Sequence, residues 1–163
     1  MTKRVILDTN VHVSAMFAKP SSTTFRVLKA AYQSHEVFQT PETIAEIEAT
    51  LSKPRIVKRL AEGAKEELIE AVRKGSEIVM PDFEVDVSPD PDDNKFFALA
   101  EYVGADFIIS RDKDDVLFMG EYKGTRTVSP YQFVSEYPLL FDHAASPVRQ
   151  DSGYFVETEK LEV

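Results

Sequence analysis

Cysteine is missing altogether from the 163-residue chain. That excludes disulfides, zinc–thiolate sites and thiol nucleophiles. Glycine is scarce, at six residues, with no Gly-x-Gly after the first apolar run and no Gly-Lys-Ser/Thr loop. Dinucleotide binding and P-loop phosphate cradling are therefore not expected. No apolar run reaches the roughly 18 residues of a membrane span. Positive charge is outnumbered, 19 Lys+Arg standing against 28 Asp+Glu for a net charge of −9. Tight metal-free binding of nucleic acid wants the reverse balance, because phosphates are contacted by Lys and Arg. An enzyme that gathers carboxylates around divalent cations escapes this objection, since bound ions become the largest local positive charges. A basic protein partner also balances the excess.

What is present reads as one domain, residues 1–141, followed by a tail, 142–163, of different character: an added strand or an interface segment. The 43% hydrophobic content is ordinary for a globular chain. The N-terminus runs straight into a strand-like Val5-Ile6-Leu7, which leaves no room for a signal-peptide core, and a cytoplasmic location is expected. Apolar β-branched runs predict strands near residues 3–7, 36–39, 77–80, 106–110 and 126–128. Between them lie helical patterns. Phe25, Leu28 and Tyr32 recur at i, i+3, i+7, as do Ile44, Ile47 and Leu51. Thr40-Pro41, Asp90-Pro91 and Ser129-Pro130 each read as a cap followed by a first helical residue. Strands alternating with helices predict an α/β domain with a mostly parallel sheet.

In such sheets ligands bind beyond the carboxyl ends of the strands. Asp8 follows the first strand directly, and Asp112 follows the fourth by two residues, with Asp114 and Asp115 beyond. Asp92 and Asp93 fall in a first helical turn, where free N–H groups favour carboxylates. Glu46 lies off the apolar stripe of its helix; Glu42 and Glu48 would serve nearly as well. Each has an ordinary alternative as a cap, a turn residue or a solvated side chain. Together they form a set of hard oxygen ligands suited to Mg²⁺ or Mn²⁺.

The order of these pieces resembles the PIN-domain family and, within it, the VapC-like ribonuclease toxins of toxin–antitoxin pairs. Val5-Ile6-Leu7-Asp8-Thr9-Asn10-Val11 resembles the family's opening strand and first aspartate. Thr40-Pro41-Glu42-Thr43-Ile44-Ala45-Glu46-Ile47 is similar to its second motif and picks Glu46 from the neighbouring acids. Asp90-Pro91-Asp92-Asp93-Asn94-Lys95-Phe96-Phe97 resembles the third, with Asp93 as the matching acid. Ile108-Ile109-Ser110-Arg111-Asp112-Lys113-Asp114-Asp115 resembles the fourth, its Asp-x-Asp pair falling on Asp112 and Asp114.

The resemblance spans about residues 3–135. It implies a three-layer α/β/α fold and a Mg²⁺- or Mn²⁺-dependent endoribonuclease. Asp8, Glu46, Asp93 and Asp112 would be its catalytic metal ligands, Asp114 a further ligand, and Thr9, Asn10 and Ser110 supporting polar groups. It also implies an RNA substrate, an antitoxin partner and a homodimer or larger assembly.

Lys53, Arg55, Lys58 and Arg59 form the densest basic stretch and are candidates for RNA phosphates, against the plainer reading of a solvated helix face. His12, His35 and His143 lack metal-ligand spacing and read as structural or surface residues. Two other functions compete. A PIN-like scaffold that binds nucleic acid or protein without catalysis would not need all four acids. A haloacid-dehalogenase-like phosphatase also starts with an Asp after its first strand, but needs a second acid where Asn10 stands.

Overall fold

A computed structural model describes residues 2–137. The tail, 142–163, and the last residues assigned to the domain, 138–141, lie outside the described residues. Among the described residues, six strands form one sheet: β1 (Arg4–Leu7), β2 (Glu36–Gln39), β3 (Ser76–Ile78), β4 (Phe107–Ile109), β5 (Glu121–Tyr122) and β6 (Thr125–Val128), in the order β3-β2-β1-β4-β6-β5. All neighbours are parallel except β5 and β6. The helices that accompany them are α1 (Thr9–Met16), α2 (Thr23–Ser34), α3 (Pro41–Leu51), α4 (Pro54–Val57), α5 (Ala64–Gly75), α6 (Asn94–Val103) and α7 (Pro130–Glu136).

β1 lies at the centre and is apolar on both faces, as parallel strands covered from both sides must be. Val5 and Leu7 point into one core with Phe107, Ile109 and Val128, beneath α1, α2, α3, α5 and α7. Ile6 points the other way, with Phe38 and Ile108, against Phe96, Phe97, Leu99 and Ala100 of α6. These two cores make the three layers. The chain winds outward from β1 to β3, then returns to the other side of β1 at β4. Right-handed crossovers put the helix of that return, α6, on the opposite face.

The expected caps form. Thr40 and Thr43 make a reciprocal capping box for α3, and Ser22, not among the expected caps, accepts from Phe25 N at 3.1 Å at the start of α2. Each such cap stabilises its helix by about 1 kcal/mol. Ser129 and Gln132 do the same for α7. Asp90 caps a single 3₁₀ turn, Pro91–Asp93, and α6 proper starts only at Asn94. β5 has no counterpart among the strands that the sequence predicts. It is a two-residue strand, too short for any alternation, returned to β6 by Lys123-Gly124. Both turn residues have positive φ, 48° and 86°, the geometry that matches a two-residue hairpin to strand twist. Among the described residues no helix is long and apolar enough to cross a membrane.

Candidate metal centre

Leu7 pairs with Ile109 across β1 and β4, so the residues that follow, Asp8 and Ser110, emerge side by side. This is also where the strand order reverses, the usual place for a crevice in an open parallel sheet. Asp8 is only 5% exposed. It precedes α1 but makes no side-chain cap there. Its Oδ2 accepts instead from Ser110 Oγ at 2.7 Å and from Asn10 Nδ2 at 3.3 Å. Ser110 Oγ in turn accepts from the backbone N–H of Asp112 at 2.9 Å, and Asn10 Oδ1 from that of Arg111 at 3.1 Å. The two strand ends are thus laced together through the short polar groups Asn10 and Ser110.

Below Asp8, His12 is wholly buried. Its Nδ1 lies 3.3 Å from the Asp8 carbonyl, which can only accept, so Nδ1 carries the proton and Nε2 accepts from the Tyr32 hydroxyl at 2.7 Å. Burial lowers its pKa to about 4, and the ring is neutral at pH 7. His12 is a strut under the site.

Glu46 reaches the centre from α3. Its Oε1 accepts from the Thr9 hydroxyl, and its Oε2 meets Lys95 Nζ at 2.5 Å. Lys95 also donates to the Asp92 carbonyl. Asp93, from the 3₁₀ turn before α6, is the least satisfied acid: its Oδ2 is buried and has no hydrogen-bond partner. Asp112 turns its Oδ1 back to accept from Asp114 N (3.1 Å) and Asp115 N (3.2 Å).

The charges act on one another. Burial raises Asp8 to about 6, with Ser110's hydrogen bond opposing and the Glu46 and Asp112 charges adding. Burial, then Asp8, Asp90 and Asp112, raise Asp93 to about 7, against Lys95. Asp8 thus feels the charges of Glu46 and Asp112, and Asp93 those of Asp8, Asp90 and Asp112. The closest carboxylate set among the described residues is a neighbouring one, however: Asp90, Asp93 and Asp115, each offering an oxygen within 4.8 Å of the others. Asp115 is also raised, by burial first and then by Asp112, Asp90 and Asp114. Asp114 is exposed and stands outside this set, as do Asp8, Glu46 and Asp112. From the sequence, Asp90 and Asp115 read only as a cap and a turn residue. The signal for Asp115 is the cap at Asp112, which curls the turn.

The basic stretch stands apart. Lys53, Arg55, Lys58 and Arg59 are exposed around α4. The Arg59 guanidinium lies 4.4 Å from the ring centroid of Phe17, which caps the far end of α1. At 1.5 Å per residue, that end is about 12 Å along the helix from Thr9.

The donors of this centre suit a cation. Carboxylates with raised pKa values and one orphaned oxygen, offering hard donors only, fit a divalent ion of the Mg²⁺ or Mn²⁺ type.

Residues 4–114 match the PIN domain family, a stretch that carries Asp8, Glu46, Asp93 and Asp112. An uncharacterized protein of Methanocaldococcus jannaschii is 28% identical over 143 residues, covering 82% of this chain and 91% of the relative. The match spans all three layers and both strand ends that hold the acids, and the chain belongs to the PIN-domain family, a nuclease fold that generally binds divalent metals.

Proposed function

We propose that the protein is a Mg²⁺- or Mn²⁺-dependent endoribonuclease, and the toxin of a toxin–antitoxin pair. The observation that carries the nuclease reading is the orphaned Asp93 oxygen among acids that raise one another's pKa. Asp8, Glu46, Asp93 and Asp112 hold the ion, with Asp90 and Asp115 beside them. A divalent ion held there would supply Lewis acidity toward a phosphodiester and lower the pKa of water at the site.

The chain's own groups do the rest. Ser110 and Asn10 hold Asp8 with one oxygen engaged, which orients the carboxylate and favours its ionised form. Thr9 aims Glu46, and Lys95 keeps it from repelling its neighbours before an ion arrives. The toxin role is supported by the VapC-like order of the motifs. RNA as substrate and a cytoplasmic site of action follow from the same likeness, as do an antitoxin partner and a homodimer.

Cleavage of single-stranded RNA by the purified chain should require Mg²⁺ or Mn²⁺, stop with EDTA and fall to background in Asp8→Asn. Full activity of Asp8→Asn sinks the assignment. Induced expression should arrest growth, and Asp8→Asn should be tolerated. An active enzyme that leaves growth untouched would remove the toxin role alone.

A further inference from the structure

Beside the carboxylate centre runs a groove of about 520 Å³, within the size range of small-ligand sites. Lys95 belongs to both places: its ammonium meets Glu46, and its side chain lines the groove. The lining divides by chemistry. Met80, Phe83, Val85 and Ala98 are apolar, with Met80 73% and Phe83 36% exposed, and the Tyr102 ring backs Phe83 at 6.3 Å. Glu42, Glu84 and Asp92 supply carboxylates, and among the described residues Lys95 is the single cation of the lining. The wall is preset. Asn94 Oδ1 accepts from Val87 N at 3.0 Å and Ser88 N at 2.8 Å, tying the preceding segment to the start of α6.

We propose that this groove binds a nucleobase of single-stranded nucleic acid, one step along the strand from the phosphodiester at the carboxylate centre. The proposal rests on the nuclease reading and names a subsite for its substrate. Charge chooses the occupant. Three carboxylates repel a phosphate, so the backbone does not run through the groove, whereas a base carries no charge. Exocyclic amino groups of adenine, cytosine or guanine, and the N3–H of uracil, can donate to those carboxylates. Phe83 and Met80 offer the apolar surface on which any base can stack. An apolar helix of a protein partner would bury the same carboxylates without partners, at a desolvation cost.

The chain contains no tryptophan, so Phe83→Trp places one fluorophore in the groove. The full-length variant is titrated in EDTA with adenosine as the probe, free of the phosphate that the carboxylates would repel, and, separately, with ribose. Tyr131→Trp, on α7 and 73% exposed in the parent residue, serves as the control. Saturable quenching of Phe83→Trp by adenosine alone, absent from the control, is expected. Phe83→Ala should raise KM for single-stranded RNA about tenfold with kcat held, since stacking loses about 5- to 150-fold in binding.

Equal quenching by ribose, or none by adenosine, overturns the proposal. Quenching by a basic amphipathic peptide where adenosine fails overturns it in favour of a protein partner. Should the substitutions disturb the fold, the unaltered chain still provides the test: its Met80, Val85 and Ala98 amide resonances should shift on adding adenosine, and resonances that stay in place refute the groove. A chain that binds adenosine but never cleaves RNA refutes the nuclease reading. One that cleaves RNA without binding adenosine refutes the groove.

Discussion

At the ends of β1 and β4, Asp8 is deeply buried, yet its carboxylate accepts from the Ser110 hydroxyl and the Asn10 amide, while the neutral His12 holds its backbone carbonyl. At the entry to α6, Asp93 is less buried, but it faces Asp8, Asp90 and Asp112 with one oxygen unpartnered. Both carboxyls are raised well above the ordinary range, to about 6 at Asp8 and about 7 at Asp93. At Asp8 the Ser110 hydrogen bond opposes what burial imposes, whereas at Asp93 only the Lys95 charge opposes burial and the neighbouring acids. The strand ends are thus a braced half of the centre, and the helix entry is a half with an unpartnered carboxylate oxygen.

The largest effect expected on this contrast comes from Asp8→Asn. A raised carboxylate pKa means that the folded state holds its proton more tightly than the unfolded chain. The contribution is present below about pH 4 and is lost as pH rises through about 6. The shift from 3.8 to about 6 corresponds to about 3 kcal/mol at pH 7. Without metal, Asp8→Asn should therefore match the parent near pH 4 and exceed its stability at pH 7, as urea denaturation would show. His12, whose pKa is lowered, acts in the opposite sense, losing stability as pH falls from about 6.5 towards 4. Because it is common to both proteins, it cancels in the difference. Saturating Mn²⁺ should close the gap, and a gap unaffected by pH would break the contrast.

Ser110→Ala comes next. It removes the hydrogen bond that holds Asp8 ionised and the acceptor for Asp112 N. The acid limb of the pH–rate profile should move to higher pH, and kcat/KM should fall about 10- to 100-fold, as for groups that orient metal ligands. A profile that keeps its acid limb in place would show that Asp8 needs no bracing.

The smallest effect on the site is expected from Gly75→Ala. A Cβ there would lie 2.8 Å from Cδ1 of Tyr32, the residue that holds the His12 ring. Overpacking of this kind costs about 1–3 kcal/mol of stability. Denaturant titration should register that loss while Mn²⁺ affinity stays near the parent value. A large drop in affinity would show that the strut under Asp8 matters as much as the groups beside it.

Much of this was legible in the chain. The apolar runs of β1 and β4 announce strands buried on both faces, and Asp8 and Ser110 follow from where those runs stop. The caps of α3 and α7 could be read from Thr40-Pro41 and Ser129-Pro130, because capping is chemistry within four residues. The short strand β5 could not be read this way, since two residues carry no alternation and only Lys123-Gly124 marks its turn.

Hidden, too, were Thr9 and Lys95 on Glu46, pairs 37 and 49 positions apart, and the gathering of Asp90 and Asp115 with Asp93. Periodicity, capping and strand ends are local properties, written in adjacent residues. Which acid is braced, which is paired and which is left wanting depends on the strand order β3-β2-β1-β4-β6-β5. That order sets the end of β1 against the end of β4, with the starts of α3 and α6 meeting above them. Long-range packing makes that choice, because the field at each carboxylate is the sum over every group the fold brings near it.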